Sequence, residues 1–152
     1  MTVPVVLPER QRLPVYRRAL PLIAVGAAAV LARTKPSHIK AALEFVRRGA
    51  RPATREQAYA ARRAVVSVSL RCAGQACLQR SIATALLCRV RGVWPVWCTG
   101  VRTQPFAAHA WIEAEGRPVD EPFVAGYYRL LLAVPPLQPT AGSNHDFAPG
   151  AG

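Results

Sequence analysis

Acidic residues are scarce in this chain. Only 8 Asp and Glu stand against 20 Lys and Arg, which gives a formal net charge of +12 at pH 7 and a pI of about 11.0. Such a charge favours acidic partners of any kind. Aromatic residues are not interleaved with the arginine pairs Arg17-Arg18, Arg47-Arg48 and Arg62-Arg63. Because a surface that stacks nucleic-acid bases combines basic and aromatic residues, we do not expect a nucleic-acid partner.

The chain also lacks the close cysteine pairs of a zinc site. No two of its cysteines, Cys72, Cys77, Cys88 and Cys98, lie within four residues of each other. We therefore expect neither a metal nor another cofactor. Cys77 and Cys88 fall on one predicted helix about 16 Å apart, too far for a disulfide. We interpret Cys72, Cys88 and Cys98 as small buried apolar residues.

We expect no membrane-spanning or targeting segment either. The apolar run at residues 19–32 is shorter than the about 20 residues that cross a bilayer. A signal peptide would place its apolar region nearer the start, with a small-residue cleavage site after it. We interpret the run as a buried or half-buried helix, with a membrane-surface helix as the alternative. The expected location is the cytoplasm, where cysteines stay reduced.

The composition suits one domain. A chain of 152 residues with 51% apolar residues is large enough to bury a core. Prolines among charges mark residues 1–14 as an irregular lead-in, and a composition rich in Pro, Gly, Ala and Ser marks residues 136–152 as a disordered tail. The domain is expected over residues 15–135.

The first half of the domain has helical patterns. Predicted helices span residues 17–32, a segment N-capped by Ser37 and closed by Gly49, a segment from a Thr54–Gln57 capping box to about Arg71, and residues 77–91. Arg51-Pro52 is interpreted as the start of a linker.

The second half has strand patterns. β-branched and aromatic residues are concentrated at 93–101 and 106–114, and residues 127–134 form a further strand or a short helix. The predicted fold class is therefore α+β, with N-terminal helices packed on a small antiparallel sheet.

Cys77 is the candidate nucleophile. It follows a glycine loop and lies in the first turn of the predicted helix 77–91. Unpaired backbone N–H groups and the helix dipole at that position favour a thiolate. The N–H groups would also bind the oxyanion that forms when the thiolate attacks a carbonyl, and Gln75 is a further candidate oxyanion donor.

His109 and a carboxylate are the candidate partners of Cys77. A two-residue turn at Glu115-Gly116 would pair Trp111 with Asp120, which places Asp120 on the same face as His109. Glu121 points to the opposite face in that register, and a one-residue shift would exchange the two. We predict Asp120 as the carboxylate that orients His109, with Glu121 as the alternative.

These residues together predict nucleophilic catalysis on an amide. Cys77 would attack a peptide carbonyl, His109 would protonate the leaving amine, and the carboxylate would orient the imidazole. An acyl transferase would use the same triad, and a basic binding module would use none of it. His38 and His145 are interpreted as surface and tail residues.

Several segments together resemble the transglutaminase-like leader peptidases of lasso-peptide biosynthesis. They are residues 64–66, 72–81, 94–101, 106–113 and 116–119. The resemblance covers roughly residues 15–135 and is to the free-standing form of the enzyme. It implies a papain-like cysteine protease core and a Cys-His-Asp triad, which carries over onto Cys77, His109 and either Asp120 or Glu121.

The resemblance also implies the reaction and the partners. The substrate would be the leader region of a ribosomally made precursor peptide, presented by a separate small recognition protein. Removal of the leader would free the amine of the core peptide for a separate cyclase, which is a further candidate partner. The positive charge of the chain would suit an acidic leader or an acidic partner surface.

Overall fold

A computed structural model describes residues 14–137. The predicted lead-in and tail lie outside the described residues, apart from Pro14, Pro136 and Leu137. The helices are a short 3₁₀ turn at Val15–Arg17, α1 (Ala19–Leu31), α2 (Pro36–Val46), α3 (Arg55–Val68), α4 (Leu70–Ala73) and α5 (Cys77–Val90). The strands are β1 (Arg51–Pro52), β2 (Val93–Trp94), β3 (Val96–Thr103), β4 (Phe106–Ala114), β5 (Arg117–Pro118) and β6 (Arg129–Val134). The predicted α+β class is confirmed.

α3 begins at the predicted capping box. The Gln57 N–H donates to Thr54 Oγ1 at 3.2 Å, and the Thr54 N–H donates to Gln57 Oε1 at 3.0 Å. Its inner stripe includes Ala58, Ala61 and Val65, each with no exposed surface. The helix ends at Val68 instead of continuing to Arg71, because Ser69 is extended and its side chain caps α4 by accepting from the Cys72 N–H.

The expected caps of α2 are wrong. Lys35 is the extended residue before the helix, and Pro36 fills the first helical position, where its missing N–H removes no hydrogen bond. Ser37 therefore lies inside the helix. At the other end the helix stops at Val46, so Gly49 belongs to the turn that follows.

α5 is the central helix of the molecule. It runs from Cys77 to Val90, close to the predicted bounds, and packs against α1, α3 and β4. Ile82, Leu87 and Cys88 are fully buried. The helix is also attached to the sheet by a buried hydrogen bond, in which Trp97 Nε1 donates to Ser81 Oγ at 3.0 Å.

Four strands form the main sheet in the order β5-β4-β3-β6, and every pair is antiparallel. β4 has the predicted bounds, and the hairpin joins Ala114 to Arg117 as predicted. Glu115 and Gly116 both have positive φ, which a two-residue primed turn requires. The segment at 127–134 is a strand, β6.

A second, two-stranded parallel pairing joins β1 to β2. Residues 51–52 were expected in a linker, and they instead pair with Val93 and Trp94. The predicted strand 93–101 is divided at Pro95, which has no N–H to donate to a ladder. Trp94 is fully buried, and its Nε1 donates to the Val134 carbonyl at 3.0 Å.

Within residues 14–137, none of the helices has both the length and the apolar character needed to cross a membrane.

Candidate active site

Cys77 is the first residue of α5 and is half-buried. Its side chain is hydrogen-bonded to His109, and the Ala110 N–H also donates to the sulfur. The hydrogen bond with His109 lowers the pKa of Cys77 below its ordinary value, although burial opposes this change. The backbone N–H of Ala110 and the positive charges of His109 and Arg80 lower the pKa further. The site therefore favours a thiolate at Cys77.

His109 lies between Cys77 and a carboxylate. Its Nε2 is 3.0 Å from Oε2 of Glu121, which leaves Nδ1 for the thiol. Burial alone would lower the pKa of His109, but the hydrogen bonds with Cys77 and Glu121, and the negative charges of both, raise it to about 9. The imidazole is thus held as an imidazolium at neutral pH, beside a thiol whose pKa is lowered.

Aromatic rings fix the orientation of the imidazole. The ring of Tyr128 stacks on it at 5.3 Å between centroids, and the ring of Phe123 meets it edge-on at 5.3 Å. Trp111 stacks in parallel at 6.1 Å. Neither Phe123 nor Tyr128 was identified from the sequence: Phe123 lies outside every predicted element, and Tyr128 lies in the segment 127–134, whose type was left open.

The structure places Glu121, the alternative carboxylate, beside His109 in place of Asp120. Asp120 pairs with Arg62 and 43% of its side chain is exposed, whereas the Glu121 side chain is 4% exposed and contacts His109. The hairpin register was predicted correctly up to Pro118. The difference arises at Asp120, whose φ of 51° is left-handed and interrupts the alternation of faces. Glu121 therefore occupies the position expected for Asp120.

Two arginines surround the buried Glu121. Arg62 Nη2 is 3.5 Å and Arg80 Nη2 is 3.8 Å from Glu121 Oε1. Arg80 also donates from Nη1 to the carbonyls of Cys72 at 3.2 Å and Gly74 at 3.0 Å. The Arg80 guanidinium thus connects the loop before Cys77 to the carboxylate of Glu121. Both arginine side chains are largely buried, with 12% of Arg62 and 11% of Arg80 exposed.

The expected oxyanion donors are arranged differently from the prediction. The Cys77 N–H donates to the Gln75 carbonyl at 2.9 Å, across an inverse γ-turn in which Ala76 has φ −80° and ψ 60°. This N–H is therefore engaged in the described conformation. The Gln75 side chain is exposed, and its role as an oxyanion donor stays a prediction.

The other cysteines are buried and free, as predicted. Burial raises the pKa of Cys88 and of Cys98 to about 12, and burial also raises the pKa of Cys72. His38 is exposed on α2, and His145 lies outside the described residues. Within residues 14–137 no group of three or more His, Cys, Asp or Glu side chains is arranged to hold a metal ion. Cys77 is the cysteine whose surroundings favour reaction.

A protein-family model described as the transglutaminase-like superfamily matches residues 21–132 of this chain. The match includes Cys77, His109 and Glu121. Neither the curated proteins nor the solved structures gave a match.

Proposed function

We propose, from the premise that this chain belongs to the transglutaminase-like superfamily, that the protein is a cysteine peptidase. Its reaction removes the leader from a ribosomally made lasso-peptide precursor. The observation that carries the peptidase chemistry is the position of His109, which is hydrogen-bonded to Cys77 on one side and to Glu121 on the other. Only 17% of the His109 side chain is exposed, and the lower local dielectric of a partly buried site strengthens both interactions.

In the first step the Cys77 thiolate attacks the carbonyl carbon of the scissile peptide bond. The C–S bond forms, the carbonyl electrons move to oxygen, and a tetrahedral oxyanion results. The His109 imidazolium then gives its proton to the amide nitrogen as the C–N bond breaks. The amine of the core peptide leaves, and the leader remains as a thioester on Cys77.

In the second step neutral His109 accepts a proton from water, and the resulting hydroxide attacks the thioester carbon. The C–S bond breaks, the leader leaves as a carboxylic acid, and the thiolate and imidazolium are restored. Glu121 stabilises the imidazolium through its hydrogen bond to Nε2 and holds the ring in the required orientation. Arg62 and Arg80 in turn hold the Glu121 side chain in place.

The leader as substrate is supported by the sequence resemblance, which includes the segments around Cys77 and His109. On this proposal a separate small recognition protein presents the leader in the cytoplasm, and a cyclase takes the released core peptide. The net charge of +12 suits an acidic leader or an acidic surface on the recognition protein.

An acyl transferase is the second candidate, because the same thioester can react with an amine instead of water. The superfamily match supports both reactions. The two differ in their products: hydrolysis gives the leader as a free carboxylic acid beside the core peptide, and transfer gives an amide that crosslinks the leader to the accepting amine in place of the free acid.

The experiment is mass spectrometry of a candidate precursor incubated with this protein, with and without the recognition protein. The peptidase proposal expects two product masses that together equal the precursor plus one water. It also expects faster cleavage when the recognition protein is present. A crosslinked product without free leader would favour the transferase, and an unchanged precursor in every mixture would contradict both.

A further inference from the structure

We propose that an apolar cavity beside Cys77 binds an aliphatic side chain of the peptide substrate, within two residues of the bond that is cut. The inference rests on the proposed peptidase function and deepens it by assigning a side-chain preference. The cavity has a volume of about 480 Å³, which is in the usual range for sites that enclose part of a ligand. Cys77 and His109 form part of its wall.

The floor of the cavity is a set of small side chains on the sheet. Trp97 and Ile112, paired across β3 and β4, fill the core beneath α5. The next two pairs on the same face are Thr99 with Ala110 and Val101 with Ala108. These side chains are smaller, and α5 begins only at Cys77. The change from large to small side chains leaves the space open.

The walls come from three elements and are almost entirely aliphatic. They consist of Pro36 and Ile39 from α2, Leu78 from α5, and Leu131 and Leu132 from β6. Leu131 is the extra residue of a β-bulge, since Thr99 pairs with Leu132 and Gly100 pairs with Leu130. A bulge allows two successive side chains to reach the same region, so both leucines line the cavity.

The chemistry of this lining selects its occupant. Among the described residues that line the cavity, Cys77 and His109 are the ionisable ones, and the His109 ring is already engaged with Cys77 and Glu121. A charged substrate side chain would lose its hydration here without gaining a partner. Transfer of an aliphatic side chain from water into the cavity would instead lower the free energy of binding. Cys77 itself lines the cavity. A peptide whose scissile carbonyl carbon lies at Cys77 Sγ therefore places a side chain next to that bond at the mouth of the cavity.

The test uses peptide chloromethyl ketones, which need no knowledge of the natural substrate. The Cys77 sulfur displaces chloride from the methylene carbon, so a C–S bond forms and chloride is released. Two series, acetyl-Xaa-Gly and acetyl-Gly-Xaa chloromethyl ketones with Xaa as Leu, Gln or Lys, are compared by intact mass. Each rate is divided by the rate with glutathione to remove differences in intrinsic reactivity. We expect Leu to react with Cys77 at least about tenfold faster than Gln or Lys in one series.

Two matched variants locate the preference. Leu131→Glu places a carboxylate at the cavity and should reverse the preference from Leu to Lys. Leu130→Glu is the control, because Leu130 is similarly exposed on the same strand, 54% against 59%, and is not among the residues that line the cavity. It should leave the preference for Leu unchanged. Both positions are exposed, so neither variant is expected to unfold the domain.

The outcomes separate this inference from the proposed function. Equal normalised rates for Leu, Gln and Lys in both series, with Cys77 alkylated, would overturn the cavity assignment and leave the nucleophile intact. Identical preferences in Leu131→Glu and Leu130→Glu would overturn the cavity assignment as well. If Cys77 reacts with none of the reagents while glutathione reacts with all of them, the proposed nucleophile fails and the cavity has no substrate role.

Discussion

Glu121 Oε2 lies 3.0 Å from His109 Nε2. The residue before it, Asp120, has a left-handed backbone conformation, which turns the chain so that the Glu121 carboxylate, and not that of Asp120, meets the imidazole. Asp120 itself pairs with Arg62 at the surface. The two acidic residues are therefore adjacent in sequence but differ in environment, and their substitution should have different consequences.

Glu121→Gln should lower kcat by about 100-fold or more, because a neutral amide stabilises the imidazolium less than a carboxylate does. Asp120→Asn removes a partly exposed ion pair and should change kcat by less than about fivefold. Steady-state cleavage of the precursor measures both. Equal losses in the two variants, or a larger loss for Asp120→Asn, would show that the assignment of the orienting carboxylate is wrong.

Sequence reasoning selected Cys77 and His109 from local patterns, and the structure brings these two side chains together. Cys77 begins a predicted helix after a glycine loop, and His109 occupies a predicted strand rich in β-branched and aromatic residues. Which carboxylate meets His109 depends on the backbone conformation beyond Pro118, where the pairing of β4 with β5 ends. A signal was present: Asp tolerates a left-handed conformation, and Pro122 restricts the residue before it, Glu121, to extended backbone.

The supporting residues could not be predicted in the same way. Arg80 projects from α5 back to the carbonyls of the preceding loop and toward Glu121, which lies 41 positions later in the chain. No periodicity brings such residues together, since their contact depends on how α5 packs against the sheet. The β-bulge at Leu131 is likewise a consequence of pairing between strands and leaves no clear mark in the sequence.

The pH dependence of Cys77 reactivity follows from its coupling to His109. The pKa of Cys77 is lowered from its ordinary value of 9.0, so alkylation by iodoacetamide should rise with pH at a midpoint below 9.0. In His109→Ala the main cause of the lowering is removed and burial remains, so the midpoint should move upward. The alkylation rate is measured by stopping the reaction at successive times and determining the alkylated fraction of the protein by intact mass. A midpoint that does not move in His109→Ala would contradict the pairing of the two side chains.

Cleavage itself should fall on the alkaline side. The pKa of His109 is raised to about 9, so the imidazolium that protonates the leaving amine is present below this pH and is lost above it. On the acid side the rate should fall as the thiolate becomes protonated. The measurement is kcat/KM of wild-type enzyme over the pH range. A rate that stays constant well above pH 9 would show that His109 is not the acid.

Arg80→Lys should lower kcat by about tenfold with little change in KM, because lysine keeps the charge near Glu121 but cannot reach both loop carbonyls and the carboxylate together. Arg91→Lys, at the exposed far end of α5, is the matched control and should behave as wild type. Similar kinetic constants in the two variants would show that Arg80 does not contribute to catalysis.

Thr54→Ala tests the capping box at the start of α3 and should reduce the free energy of unfolding by about 1 kcal/mol, since the Gln57 N–H loses its acceptor. Thr103→Ala, at the exposed end of β3, should change it by less than about 0.5 kcal/mol. Urea unfolding followed by far-ultraviolet circular dichroism gives both values. An unchanged midpoint in Thr54→Ala would contradict the stabilising role of the cap.

On the proposed function, the sulfur of Cys77 cuts the leader from the precursor. The most direct test of this proposal compares wild type, Cys77→Ala and Cys98→Ala on one precursor with the recognition protein present, with free leader measured by mass spectrometry. Cys98 is a matched control because it is a buried cysteine whose pKa is raised to about 12. We predict free leader from wild type and from Cys98→Ala and none from Cys77→Ala. Leader release by Cys77→Ala at the wild-type rate would contradict the account.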